Sequence, residues 1–249
     1  MKNKLILSIG LLLSLACSLS TPAPTQDPVS VPDTEVPATQ VPLTPTAEPT
    51  AAPAFFRDDF NQVLAGGWSW QNEDPVNWNM DARAGWLEII ILPGHIVTGN
   101  YSNLLLRSPF DGDFQIETGL VFQPAANFQF AGLVVYESDS DFLQAGRAFC
   151  QGADNCIGDG LYFDTYTNGT FQGTNFATPY DGGNLVHLRL QRRGDVYTFF
   201  ASPDGLNWTE IGSHQSGVEP ERVGLVASQN NDGVPLPARF DYFMLTELQ

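Results

Sequence analysis

Leu188-Arg189-Leu190-Gln191-Arg192-Arg193-Gly194-Asp195-Val196-Tyr197-Thr198-Phe199-Phe200-Ala201 is the stretch whose reading decides the fold. Aliphatic, aromatic and β-branched residues lie on both sides of Arg193-Gly194-Asp195, and Gly beside Asp is turn chemistry, because glycine reaches the left-handed backbone region without steric cost. A strand points successive side chains to opposite faces. Leu188 and Leu190 are therefore expected to face a core, with Arg189 and Arg192 out, as in a half-exposed antiparallel strand. The segment reads as a β-hairpin.

Working outward, similar runs recur at 86–91, 114–122, 131–136, 160–164, 222–227 and 238–245. They are β-branched or aromatic and are bounded by Gly, Pro, Asn and Asp. Turn signals separate them: Asp111-Gly112-Asp113, Asn168-Gly169, Pro203-Asp204-Gly205 and Asp232-Gly233. No long stretch shows a 3.6-residue period. Many short strands with regular turns predict one all-β domain over residues 55–249, a sandwich or a barrel.

The residues before it have other work. Lys2 and Lys4 precede an apolar run from Leu5 to Ala16, followed by Cys17. That run is shorter than the about 20 residues a membrane span needs and reads as the h-region of an export signal. Leu13-Ser14-Leu15-Ala16-Cys17 resembles a bacterial lipobox, with Ser14 standing where that pattern usually has Leu. The resemblance implies a signal peptide over 1–17, lipidation of Cys17, and an extracytoplasmic protein lipid-anchored at the bacterial cell surface. Residues 18–54 are rich in Pro, Thr, Ala and Val and contain no Lys or Arg. Such a segment cannot bury enough apolar surface to offset its ordering entropy. Its prolines favour an extended stalk at about 3.1 Å per residue, a reach on the order of 100 Å.

The net charge of −17 argues against nucleic acid as a partner and against electrostatic docking on anionic lipid, leaving the lipid anchor as the only membrane contact. Of three cysteines, Cys150 and Cys156 lie close together and Cys17 is the odd one. In an oxidising compartment the near pair can form a disulfide. Two sulfurs with no nearby His or further Cys do not complete a four-ligand zinc shell.

Asp58-Asp59-Phe60, Gly67-Trp68-Ser69-Trp70 and Pro75-Val76-Asn77-Trp78 resemble the opening of concanavalin A-like domains, in particular those at the C-termini of β-xylosidases. The late hairpin continuing through Ser202-Pro203-Asp204-Gly205-Leu206-Asn207-Trp208, and the closing Val223-Gly224-Leu225-Val226-Ala227 with Phe240-Asp241-Tyr242-Phe243, extend the resemblance over most of residues 55–249. It implies a jelly-roll β-sandwich of two antiparallel sheets. It also implies, in many relatives, a structural calcium held by oxygens from these regions. Asp58, Asp59 and Asp241 are the candidate ligands, because the two ends of such sandwiches lie side by side.

Most of these motifs are core and turn residues, and fold alone carries no activity. Burial is the expected role for Trp68, Trp70, Trp78, Trp86 and Trp208. Phe128, Phe130, Tyr166 and Tyr180 fall in loops or near turns and are the candidate sugar-stacking rings. Glycoside hydrolysis generally needs two facing carboxyls. The closest approach to the Glu-x-Asp-x-x-Glu of laminarinase-like relatives is Glu137-Ser138-Asp139-Ser140-Asp141-Phe142, where Phe142 replaces the last Glu. The expectation is a non-catalytic surface module that binds a polysaccharide or glycan on the concave sheet or the loop rim. The alternatives are a protein-interaction or adhesion module and an unrecognised glycoside hydrolase.

Overall fold

The computed structural model describes residues 54–249 apart from 153, 173–175 and 229–233. The chain divides into units 1–49 and 50–249, and the described residues all belong to the second. The export signal with Cys17, the stalk as far as Pro53 and the Asp232-Gly233 turn lie outside the described residues.

The strands in chain order are β1 (Phe55–Asp58), β2 (Ser69–Gln71), β3 (Trp78–Asn79), β4 (Leu87–Ile91), β5 (Leu104–Arg107) and β6 (Phe114–Val121). Next come β7 (Phe130–Ser138), β8 (Asp141–Cys150), β9 (Gly158–Thr167), β10 (Thr170–Phe171) and β11 (Phe176–Pro179). The last are β12 (Leu185–Arg193), β13 (Val196–Ser202), β14 (Thr209–Gln215), β15 (Arg222–Ser228) and β16 (Leu236–Glu247). A single 3-10 turn, Ile96–Thr98, is the only helical element among the described residues.

These strands form two antiparallel sheets. The first runs β14-β13-β12-β6-β16-β4-β3, with β1 also paired to β16, and the second runs β10-β9-β8-β7-β15-β5-β2, with β11 also paired to β9. The inner faces meet in a continuous core that includes Leu87, Phe114, Leu133, Phe163, Leu188, Leu190, Phe199 and Phe243. The fold is a concanavalin A-like sandwich. Its first and last strands are neighbours, with Asp58 opposite Phe243.

The hairpin forms as its sequence dictates: Arg193 pairs with Val196, and Gly194 turns the chain at φ 59°. Leu188 and Leu190 are fully buried. Arg192 corrects the expectation for this strand. The two-residue period places it on the same side as Leu190, and its side chain is only 19% exposed. It closes the end of the core, with Nη1 donating to Gly112 O at 2.9 Å and Nη2 lying 3.9 Å from Glu219.

Strand β8 carries no strong sequence signal. Leu143, Gln144, Ala145, Arg147 and Ala148 are not strand formers by propensity. Here position decides: β8 lies between β7 and β9, bonded on both sides. Of the segment nearest to a glycosidase motif, Asp139-Ser140 form the turn between β7 and β8, closed by the Ser138–Asp141 pair, so the segment does not lie along one strand face.

Strands β7 and β8 approach closely at a pair of glycines. Gly132 pairs with Gly146, and a Cβ on Gly146 would sit 2.1 Å from Ala131 O. Only glycine permits strands to approach that way.

Candidate ligand-binding cleft

Alternation along β5, β7, β8, β9 and β15 gives the second sheet an apolar outer face as well as an apolar inner one. Leu104, Leu106, Val134, Tyr136, Phe142, Tyr162 and Val226 form this second buried cluster together with Ile96 and Tyr101. A roof covers part of the face. It is the segment 94–103, folded tightly on itself at Gly94, where a Cβ would fall 2.2 Å from Asn100 O. Hydrogen bonds pin it down. Gln71 Nε2 donates to Tyr101 Oη and Tyr136 Oη, each at 2.7 Å, and both phenols donate to Asp139 Oδ1 at 2.7 Å.

Beside this roof the outer face opens into a cleft of about 250 Å³. Its floor is Gln144 on β8 and Asp164 on β9, which face each other across the ladder. Gln144 Nε2 donates to Asp164 Oδ2 at 3.3 Å. Gln144 Oε1 and Asp164 Oδ1 have no partner and no contact with water. Gln144 as a whole is 4% exposed, while part of the Asp164 side chain remains open to the cleft. Desolvation by the surrounding protein pushes the Asp164 carboxyl up to about 7, partly offset by the Gln144 hydrogen bond. A buried acceptor left without a donor costs roughly 1–3 kcal/mol.

Aromatic rings make the walls. Tyr166 stacks on Phe142 at 4.6 Å and meets His95 at 5.2 Å and Phe171 at 5.5 Å. Phe128 stands 43% exposed at the rim. Its backbone is held at φ 69°, a region costly for a bulky residue, and its N–H donates to Phe149 O at 2.7 Å. His95 Nδ1 accepts the Val97 N–H, and burial lowers the pKa of the ring. A disulfide between Cys150 and Cys156 closes the remaining wall, and the loop it spans carries Asp154 to the rim.

The structure brings three of the four candidate rings, Phe128, Phe130 and Tyr166, into this one cleft. Tyr180 is elsewhere: it packs against the inner core and donates its hydroxyl to Leu185 O at 2.7 Å. None of the five tryptophans lines the cleft. Trp86 is buried and the other four are half-buried. Sequence reasoning missed Gln144, Asp164 and His95. The available signal was polar residues at alternate positions between large apolar ones, Phe142-x-Gln144 and Tyr162-x-Asp164-x-Tyr166.

The three aspartates considered for calcium do not fit that ion. Asp58 Oδ1 accepts the Phe60 N–H at 2.9 Å, and Oδ2 accepts the Ala65 N–H at 2.8 Å and the Trp68 indole N–H at 2.9 Å. That carboxylate caps a turn, and a cation would displace three donors. Asp59 Oδ1 is taken by Arg57 at 2.7 Å. Asp241 is raised in pKa by burial, against the charges of His187, Arg57 and Arg83. Among the described residues no group of three or more His, Cys, Asp or Glu side chains is placed to hold a metal.

Comparison with known proteins identifies the family. The β-xylosidase C-terminal concanavalin A-like domain matches residues 57–246. Among solved structures, the GH43 protein BlXynB from Bacillus licheniformis superposes with a TM-score of 0.69 at 19% identity, covering 77% of this chain and 39% of that one. The xylan β-1,4-xylosidase of Bacillus halodurans gives 0.64 at 21% identity, with the same two coverages. A β-glucanase from Bacillus licheniformis gives 0.53 at 14% identity, covering 80% of this chain and all of that one. This chain thus spans about two-fifths of the length of these two Bacillus proteins. At these identities the likeness is one of fold. No curated protein matches by sequence.

Proposed function

The chain belongs to the family of β-xylosidase C-terminal concanavalin A-like domains, and from that premise we propose that its sandwich is a non-catalytic module binding a polysaccharide or glycan in the cleft on the outer face of the second sheet. One observation carries the reading: aromatic rings wall a cleft into which part of the Asp164 side chain opens. Sugar hydroxyls both donate and accept and so suit the open part of Asp164, while the C–H faces of a pyranose pack on rings such as Tyr166 and Phe128. A volume of about 250 Å³ is small against the roughly 300–1,000 Å³ of drug-sized sites, and it fits a single sugar unit better than a long buried chain.

The test is a glycan array probed with the full chain, followed by calorimetry on the hits. Specific binding that weakens in Gln144→Leu supports the reading. A blank array with protein shown to be folded overturns it and moves the assignment to a protein-binding or adhesion module.

A second reading has its own observation. Asp164 holds a proton near neutrality, as a general acid must, and Asp154 stands in the same cleft. Asp154, however, sits exposed in the disulfide loop, and family glycosidase motifs do not map onto either residue. Release of reducing sugar from an array hit, abolished in Asp164→Asn, would replace the binding module by a hydrolase.

The address is proposed with the activity: Cys17 lipidated, residues 18–54 a stalk, and the sandwich displayed outside the membrane. Mass spectrometry of the mature N-terminus checks this, a diacylglyceryl adduct on Cys17 being the expected result.

A further inference from the structure

Two side chains on the cleft floor are joined by one hydrogen bond, and each keeps one atom without a partner among the described residues. Gln144 Nε2 donates to Asp164 Oδ2 at 3.3 Å, while Gln144 Oε1 and Asp164 Oδ1 are sealed from water. We propose that Asp164 carries a proton on Oδ1 and donates it to Gln144 Oε1, closing a reciprocal acid–amide pair whose loss in alkali weakens saccharide binding. The pair stands by itself; its effect on binding rests on the saccharide reading above and adds its regulation.

An ionised Asp164 leaves two buried acceptors on adjoining side chains, and a ligand in the cleft cannot reach them to supply donors. The donors that line the cleft, the Ser228 and Tyr166 hydroxyls and the His95 ring, bond to neither atom. One proton removes both deficits, because a protonated carboxyl is donor and acceptor together and a primary amide is its complement. The surroundings favour that neutral form. No Lys or Arg lines the cleft. The titratable groups around Asp164 are His95 and Tyr101 in the roof, Tyr136 on β7, Tyr162 and Tyr166 on β9, Asp139 in the β7–β8 turn and Asp154 in the disulfide loop. Burial lowers the histidine and raises all four phenols, so these are neutral near pH 7. Asp139 is engaged by Tyr101 and Tyr136, and Asp154 is exposed. Desolvation raises the Asp164 pKa to about 7, in keeping with a retained proton. A sugar filling the cleft strips water from the open side of Asp164 and disfavours its ionised form further. By linkage, affinity then falls as pH rises through this ionisation. A proton spent on Gln144 is also not offered to a glycosidic oxygen, which sets Asp164 apart from a general acid.

The deciding experiment is infrared difference spectroscopy of the full chain between about pH 6 and about pH 9, a window far above the ordinary aspartate range. The expected result is a carboxylic-acid carbonyl band that is present at the lower pH, lost at the higher and missing from Asp164→Asn. In Gln144→Leu this band moves to higher frequency or vanishes, because its hydrogen bonds are gone. Asn can close the same pair through its amide N–H, so Asp164→Asn is expected to fold, and thermal melting checks both variants. Absence of the band overturns the pair, because Asp164 is then ionised. A band unmoved in Gln144→Leu also overturns it, because the proton then goes elsewhere. Calorimetry with a glycan-array hit reads the effect on binding. Affinity is expected to fall by about threefold or more across the same window, and Asp164→Asn brings the ratio of the two affinities close to one. Glu117→Gln, on the other sheet, leaves the ratio as it is. A ratio of one in the unaltered chain overturns the regulation and leaves the saccharide reading standing. Binding to no glycan removes both, while the infrared band still decides the pair.

Discussion

On the outer face of the first sheet, Glu117 meets Arg189 at 3.3 Å, Glu88 meets Arg239 at 2.7 Å and His187 Nδ1 lies 3.3 Å from Tyr242 Oη. On the outer face of the second sheet, Asp164 and Gln144 meet only each other and keep one acceptor each in reserve. The two faces come from strands of the same kind, yet the charges of one are neutralised within the fold and those of the other are not. Even the half-buried Trp208 ring is occupied, since the Arg189 guanidinium covers it at 3.7 Å. Ion pairing spends the charges of the first face on the fold, although Arg189 Nε is buried without a partner. The second face leaves Asp164, beneath a roof and between aromatic walls, without an ion pair among the described residues and partly open to a ligand.

The contrast is broken most forcefully by emptying the floor. Gln144→Leu combined with Asp164→Asn is expected to weaken glycan binding by about 100-fold or more, as measured by calorimetry. Glu117→Gln on the first sheet is expected to change it less than about twofold. Equal losses from the two faces would erase the distinction.

A second test acts on the close approach of β7 and β8. Gly146→Ala places a methyl group against Ala131 O and is expected to destabilise the domain by roughly 1–3 kcal/mol in chemical denaturation. An unchanged midpoint would mean that the strands shift apart freely.

A third follows from proton linkage. The folded pKa of Asp164 is raised to about 7, above the ~3.9 of an unfolded aspartate, so the folded state holds this proton more tightly. Its contribution to stability is full below about pH 4 and is lost as pH rises through about 7. Asp164→Asn should flatten that decline in thermal melts across this window.

The smallest effect is expected at the paired face itself. Glu88→Gln removes a 2.7 Å contact to the one-third exposed Arg239 and should lower stability by less than about 1 kcal/mol. A larger loss would show that this face also stores strain.

The hairpin at 188–201 and the strands with alternating or β-branched runs were legible because their pattern is local. A Gly-Asp turn and a two-residue period say where a chain reverses and which side is apolar. The same period, read strictly, also puts Arg192 on the core side. Strand β8 was not legible, because Gln144, Ala145 and Arg147 prefer no strand and adopt one only between β7 and β9. The rings Phe128, Phe130 and Tyr166 stood out as aromatics in loops or near turns. Tyr180 stood out in the same way and proved to be a core-facing cap.

What the sequence determined by itself was therefore the class of fold, the family and the cysteine pair, all of which rest on short-range patterns and spacing. What only the tertiary structure decided was the cleft. Gln144 and Asp164 are twenty positions apart and become neighbours through strand register, while His95 arrives on a roof folded over from another part of the chain. Register and burial are properties of the packed sheet. Whether a carboxylate is paired, as Asp58 is, or left waiting, as Asp164 is, depends on which backbone N–H groups the fold brings to it.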